Sequence, residues 1–560
     1  MYEENNIKHF PSMDKLKIFL KKYRAPLLSA LLGMGIFLLL FGPAVLDPAY
    51  TDWYASGDPG GHYFGWKLFR EADWQVMVGM MNTANYPYSA SVVFTDSIPV
   101  AAIIFKLFRS LEPADFQYFG LWGFMCFALQ GALSAIILKK YIKNDLSVII
   151  SSVFFILAPA FVRRMFWHTA LASHWLILLG LVFFVWHFEK FDTPKRSIIA
   201  WGLLGALCPL IHSYYLIFCG LIAFVFALED FWKNKSPVRF LLPLLSFSGA
   251  ALVTMYFLGA LSSYMNVDAP GLGYYSFNLN SFFDSDGWSI VLPKLDRYTD
   301  GQFEGFAYLG GGILILLILA LIYTVVTRDL LHTRPSKKTV LASILGLASI
   351  FLALSDEISF NSRLLIDLKV PEGGLIHKAW QTFRSTGRIA WVAMYLLMIY
   401  SIVSAVRGWG NDTWTGTLIA AIFLALQLID LSPGLIERRF DVISMGNSNK
   451  EKYVLNDSLW AAIAESGKYT HLTFHNKEKL SQDALYAFAD YASDNGMTIN
   501  DYYFARAYDL KVNQRADELA RRPQEGYFFI FHPSEEVNFI DYPLEYYNAD
   551  GFIVGIPAEH

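Results

Sequence analysis

The chain has 560 residues, of which 54% are hydrophobic, 16% aromatic and only 17% charged, too apolar a balance for a soluble protein of this length. A net charge of -4 supplies no basic field for nucleic acid, and the positive residues are gathered in short stretches between apolar runs. Cys126, Cys208 and Cys219 all fall inside apolar segments, so no disulfide framework is indicated.

Residues 1–24 carry Lys15, Lys17, Lys21, Lys22 and Arg24, which places this segment in the cytoplasm by the positive-inside rule. Ala25 to Leu46 contains no acidic or basic residue until it ends at Asp47, is long enough to cross, and lacks a small-residue cleavage site. It reads as a retained first span leading outward. The external loop that follows holds Asp52, Asp58 and His62. Asp58-Pro59 signals a helix start, and Tyr63, Phe64, Trp66, Leu68 and Phe69 form an amphipathic stretch expected to lie in the membrane interface. Ile98 to Phe108 is too short to cross and reads as interfacial or re-entrant.

Ten further apolar runs read as spans: Phe116–Leu138, Leu146–Pro159, Trp175–His187, Ile198–Ile211, Tyr214–Leu228, Phe240–Leu261, Tyr308–Val326, Val340–Leu354, Ile389–Val406 and Trp414–Leu431. Lysines and arginines such as Lys139, Lys140, Lys195, Lys233 and Lys338 fall between alternate pairs, so the amino end is inside and the carboxyl end outside. The chain is therefore expected to be mainly α, a polytopic membrane protein of about 11 transmembrane helices across 25–431. From Ser432 charges become frequent. Strand-like Tyr469–Phe474, Tyr527–Phe531 and Phe552–Ile556 around an amphipathic Asp483–Tyr491 make 432–560 an expected extracytoplasmic α/β domain.

The polar residues that could carry chemistry lie mostly in the external loops. Asp58 has two compatible readings, a general base at the membrane surface or a helix-capping acid before Pro59. His62 lies four residues on, on the same helical face, where it orients the carboxylate, contacts a phosphate or serves as an ordinary interfacial histidine. Asp52 follows the span closely and is a weaker catalytic candidate. An Asp with one His falls short of a metal ligand set, so no metal or other cofactor is assigned and a divalent cation stays open.

Arg163, Arg164, His168 and His174 occupy the second external loop, where arginines run against the usual charge bias and suit the phosphate of a lipid carrier. Phe383-Arg384-Ser385-Thr386-Gly387-Arg388 opens a later span with two more arginines and a helix start whose free N–H groups favour anions; snorkelling arginines are the competing reading. Asp268, Asp284 and Asp286, in the long loop after the seventh span, are either a source of a second carboxylate or merely solvated. His212, between two apolar runs, reads as hydrogen-bonded structure. Gly310-Gly-Gly312 has no phosphate-loop spacing and reads as close helix packing.

Several motifs together carry a resemblance: Gly57-Asp-Pro59 with His62, Gly65-Trp66 and Phe69-Arg70, Val93-Phe-Thr-Asp-Ser-Ile-Pro99, Phe116-Gln-Tyr-Phe-Gly-Leu-Trp122, His168-Thr-Ala-Leu171 with His174-Trp-Leu176, and Phe383-Arg-Ser-Thr-Gly-Arg388. The chain resembles a bacterial membrane family of unknown function placed in the clan of C-type (GT-C) glycosyltransferases. That resemblance implies a multispan enzyme of the bacterial inner membrane. It would use a polyprenyl-phosphate sugar donor and a glycan or lipid-linked acceptor on the outer side, with an acid of the first external loop at work. By position the acid is Asp58, less well Asp52; the adjacent acid pair of better-known branches is missing.

The function expected is transfer of a sugar to an extracytoplasmic acceptor, with inversion, Asp58 as base, and the arginines on the lipid phosphate. A transporter or flippase of lipid-linked glycans is the rival reading, and a non-catalytic envelope-polymer assembly protein a third.

Overall fold

A computed structural model of the chain describes residues 13–262, 271–326, 336–371, 373–410, 413–447, 454–505, 509–535 and 542–558. Asp268 lies outside the described residues.

Each of the eleven apolar runs is helical and ten start within a few residues of the expected place, whereas the first helix, Met13–Phe41, starts twelve residues before Ala25 and stops at Phe41. Among the described residues six of these helices are long and apolar enough to cross a membrane, seven if Trp414–Asp430 and Ser432–Ser444 form one span bent by 57°. The shorter apolar helices are Asp145–Ile156, Trp175–Val185 and Gly311–Val326. A helix of twelve residues reaches only about 18 Å, well short of a ~30 Å hydrocarbon core. The shortfall has a local cause at Asp145–Ile156. It is capped at Asn144, whose side chain accepts from Leu146 N and Ser147 N, and stops before Pro159; the chain resumes as the short helix Pro159–Arg164. That break carries Arg163 and Arg164 off the end of the bundle.

Small residues let the helices meet. A Cβ on Gly33 would lie 2.2 Å from the Phe127 carbonyl oxygen, and one on Gly131 2.2 Å from that of Ser29, so Met13–Phe41 and Phe119–Leu138 touch backbone to backbone. Gly310 has φ +84, and a Cβ on Gly312 would lie 2.3 Å from the Phe423 carbonyl oxygen. The triple glycine is thus a packing device, as its spacing suggests.

The first loop departs from expectation. Gly57–Glu71 is a helix, but Tyr63, Phe64, Trp66, Leu68 and Phe69 are buried rather than interfacial. Trp66 is covered by Phe116 and Tyr118 and Phe69 by Lys106, while Phe64 meets Tyr486 of the carboxyl-terminal region. There a five-stranded mixed sheet runs in the order Thr498–Ile499, His471–Phe474, Tyr527–Phe531, Phe552–Pro557, Leu544–Ala549, the first three strands parallel and the rest antiparallel. Its helix Gln482–Asp494 lies on Gly57–Glu71, where buried Lys67 reaches Asp490 at 2.5 Å and Asp494 at 2.6 Å. Tyr486 donates to the Gly57 carbonyl and Tyr502 to that of Gly61, at 3.0 and 2.7 Å. Backbone bonds from Ile499 N to Thr83 O and Ala505 N to Phe94 O complete the seam. Ser432–Asn447 remains helical and packs on Met13–Phe41, so the α/β fold itself begins at Ser458.

Candidate active site

A cavity of about 1260 Å³ opens where the first loop, the break at Pro159–Arg164, the long loop around Glu304, the Phe383–Arg388 segment and the carboxyl-terminal region converge. Asp58, His62, Arg163, Arg164, His168, Arg384 and Arg388 all line it. The acid and the guanidinium groups therefore share one chamber.

Asp58 sits in the first turn of Gly57–Glu71, one residue inside the helix, so it is not the capping residue its place before Pro59 suggests. Gly57 at φ +59 makes the turn that brings the chain into the helix, a conformation strained for other residues. The Asp58 carboxylate is half-exposed, 3.9 Å from His168 Nε2, and near enough to the Tyr503 hydroxyl to push that phenol's pKa up, behind the effect of burial. A side chain at Gly61 would meet the Tyr503 ring at 3.0 Å, so glycine there lets the tyrosine approach. His62 is buried, its Nδ1 3.1 Å from the Tyr54 hydroxyl, which lies 2.6 Å from Thr169 Oγ1.

Asp96 completes this group, though sequence reasoning noticed it only as part of a motif. Asp96 and Ile98 both have φ +53, a strained conformation for non-glycine residues and most of all for isoleucine. Between them Ser97 donates to the His62 carbonyl at 2.7 Å, and Tyr118 donates to the Ser97 carbonyl. The kink presents Asp96 to His212, whose Nε2 is 3.3 Å from Oδ1. Burial alone would raise the Asp96 carboxyl, but His212 and His62 hold it well below the usual carboxylate range. His212 is thus part of the cavity wall. Burial, and then the nearby Arg164, push His168 down to about 3, so it is a neutral ring.

The arginines form the second group. Glu304 accepts from Arg164 at 2.5 Å and from Arg388 at 2.8 and 2.9 Å. Those two cations overcome its burial and keep it ionised. Arg163 pairs with Asp286 at 2.5 Å, and Asp286 also serves Arg297 and Lys294. Its carboxyl is lowered to about 2, burial being outweighed by Arg163 and Arg297. Asp284 pairs with Arg297, so both loop acids hold the arginine network and neither offers a second catalytic carboxylate. Arg384 is exposed to the cavity, lies over the Tyr275 ring at 5.4 Å, and has no carboxylate partner among the described residues.

Three expectations fail. Asp52 is exposed in the short turn Asp52–Tyr54 and does not line the cavity. His174 is fully buried among the helices, its Nδ1 2.8 Å from the Tyr395 hydroxyl and its ring on Trp391, out of reach of any phosphate in the chamber. Two of the N–H groups before the later span are also taken, Ser385 N by the Tyr214 hydroxyl and Gly387 N by the Tyr275 carbonyl, and are not free to bind an anion.

A family model for a domain of unknown function, DUF6311, matches residues 30–432, and its companion for the DUF6311 carboxyl-terminal domain matches 459–557. The chain belongs to the DUF6311 family. The second match coincides with the α/β fold that begins at Ser458, so this DUF6311 chain carries both parts. No curated protein matches it. Among solved structures it is similar to the Archaeoglobus fulgidus oligosaccharyltransferase AglB in complex with an inhibitory peptide and a dolichol-phosphate. That match has 11% identity and a TM-score of 0.47, covering 91% of this chain and 70% of that one. It is also similar to ArnT from Cupriavidus metallidurans bound to undecaprenyl phosphate, with 11% identity and a TM-score of 0.44, covering 97% and 98%.

Proposed function

We propose that this protein transfers a sugar from a polyprenyl-phosphate donor to an acceptor glycan on the outer face of the bacterial inner membrane. The observation that carries the reading is the meeting, in one cavity, of an exposed carboxylate on a helix's first turn and a group of guanidiniums that outnumber their carboxylates. Leu216, Met255 and Leu261 give the same cavity an apolar wall suited to a prenyl chain. The motif resemblance to the C-type glycosyltransferases points the same way.

In this reading Asp58 removes the proton from the acceptor hydroxyl as oxygen attacks the anomeric carbon. The bond from that carbon to the carrier phosphate breaks through an oxocarbenium-like state, and a single displacement inverts the centre. Negative charge grows on the departing phosphate. Arg384 is placed to meet it directly, and the surplus charge of Arg163, Arg164 and Arg388 supports it from behind. Tyr503 lines the cavity beside Asp58 and offers a ring face on which an acceptor sugar can rest, giving the carboxyl-terminal region a part in the site.

Reconstituted protein supplied with a radiolabelled polyprenyl-phosphate sugar and an acceptor glycan tests this. Wild type releases the carrier and Asp58→Ala does not; equal release from both rejects the assigned base.

A further inference from the structure

We infer that His62, Asp96 and His168 form a binding site for one divalent first-row transition ion beside Asp58. One ligand atom from each of the three lies within 4.8 Å of the other two, and all three residues face the cavity. Two imidazoles and a carboxylate with open positions toward a chamber is a donor set for zinc, manganese, iron or cobalt. Magnesium and calcium prefer oxygen ligands throughout.

The surroundings fit ligation residue by residue. His62 Nδ1 is held by the Tyr54 hydroxyl, itself bonded to Thr169, which leaves Nε2 as the coordinating atom and fixes the ring. Metal-ligating histidines are oriented in this way by a partner on the other nitrogen. His168 Nδ1 is buried without a hydrogen-bond partner among the described residues. Asp96 is steadied through Oδ1 by His212, leaving its other oxygen for an ion. The strained backbone at Asp96 and Ile98 is what turns that carboxylate inward. The neighbouring Arg164 cation is compensated by Glu304 at 2.5 Å.

The three ligands come from separate parts of the sequence, His62 from a helix, Asp96 from a kinked turn and His168 from the loop after Pro159–Arg164. The site concerns binding alone and stands independently of the glycosyl-transfer reading. If an ion is present, its charge lies next to the Asp58 carboxylate, 3.9 Å from His168.

The test uses the full chain in detergent, stripped with a chelator, dialysed and titrated with Co²⁺. Wild type is expected to bind one ion per chain, with the visible absorption of a site of low coordination number. His168→Ala, Asp96→Asn and His62→Ala should each lose that signal, and Tyr54→Phe should weaken binding by about 10- to 100-fold through the freed imidazole. Asp52→Asn, remote from the cavity, should bind as wild type does. Because substitution at buried His62 could disturb folding, wild type loaded with Cu²⁺ supplies a second readout, in which electron-spin-echo spectroscopy counts coordinated imidazoles. Two are expected. Absence of Co²⁺ binding by wild type, unchanged binding in His168→Ala and Asp96→Asn, or no coordinated imidazole would overturn the site.

Discussion

One helix, Tyr215–Asn234, separates two ionic clusters, and they are built to opposite purposes. Just before its start His212 meets Asp96 in the cavity; near its end, about 25 Å away by helical rise, Glu229 receives His187 at 2.8 Å and Lys338 at 3.4 Å. The far cluster is closed: Asp230 beside it takes Arg239 and Asn234, and aromatic rings of Phe188 and Phe226 lie on His187. The near cluster faces a chamber, with a half-exposed acid and an arginine lacking a carboxylate partner among the described residues. At the far end each buried carboxylate is met by a basic partner, whereas at the near end the proposed function has a ligand complete the balance.

Substitutions at the two ends should therefore fail differently. Asp58→Ala is expected to lower the rate of transfer by about 10²- to 10⁴-fold, the usual worth of a positioned base, with carrier binding and melting temperature nearly unchanged. Glu229→Gln should do the reverse, costing about 1–3 kcal/mol of stability by taking the charged acceptor from half-buried Lys338 and from His187, read as a lower melting midpoint, while turnover per folded molecule stays intact. If Glu229→Gln abolished turnover in folded protein, the contrast between the clusters would collapse.

Arg384→Ala should reduce kcat by about 10²-fold, the cost of one charge-stabilising donor, and Arg384→Lys should recover part of it. Tyr503→Ala should raise KM for the acceptor by up to about 10-fold, in keeping with one lost aromatic contact, and leave donor binding alone. Asp52→Asn should change neither kcat nor either KM, and steady-state assays of the four substitutions rank them directly.

The helices were readable because apolar length is a local property: each run from Phe116 to Leu431 folded where composition put it. Charge bias likewise singled out Arg163, Arg164, Arg384 and Arg388, all of which reach the cavity. What sequence spacing could not show was where turns aim. His168 and His174 are six residues apart, yet one lines the chamber and the other is sealed against Tyr395. Asp96 gave only one local signal, an acid in a short motif ending at Ile98-Pro99. The left-handed backbone that points it at His212 is a tertiary effect. Glu304 and Tyr503 lie 140 and 339 residues from Arg164, separations over which no periodicity carries information. The burial of the first-loop helix was missed for the same reason, since part of its cover is supplied by the distant Gln482–Asp494 and the rest by residues such as Phe116 and Tyr118.

The most direct measurement is an electron-density map of the reconstituted protein with a polyprenyl phosphate bound. The phosphate is expected within hydrogen-bond distance of the Arg384 guanidinium, the prenyl chain along Leu216, Met255 and Leu261, and the Asp58 carboxylate facing the space where the sugar would stand. A phosphate seated outside the chamber, with Asp58 and Arg384 both solvent-filled and untouched, would contradict it.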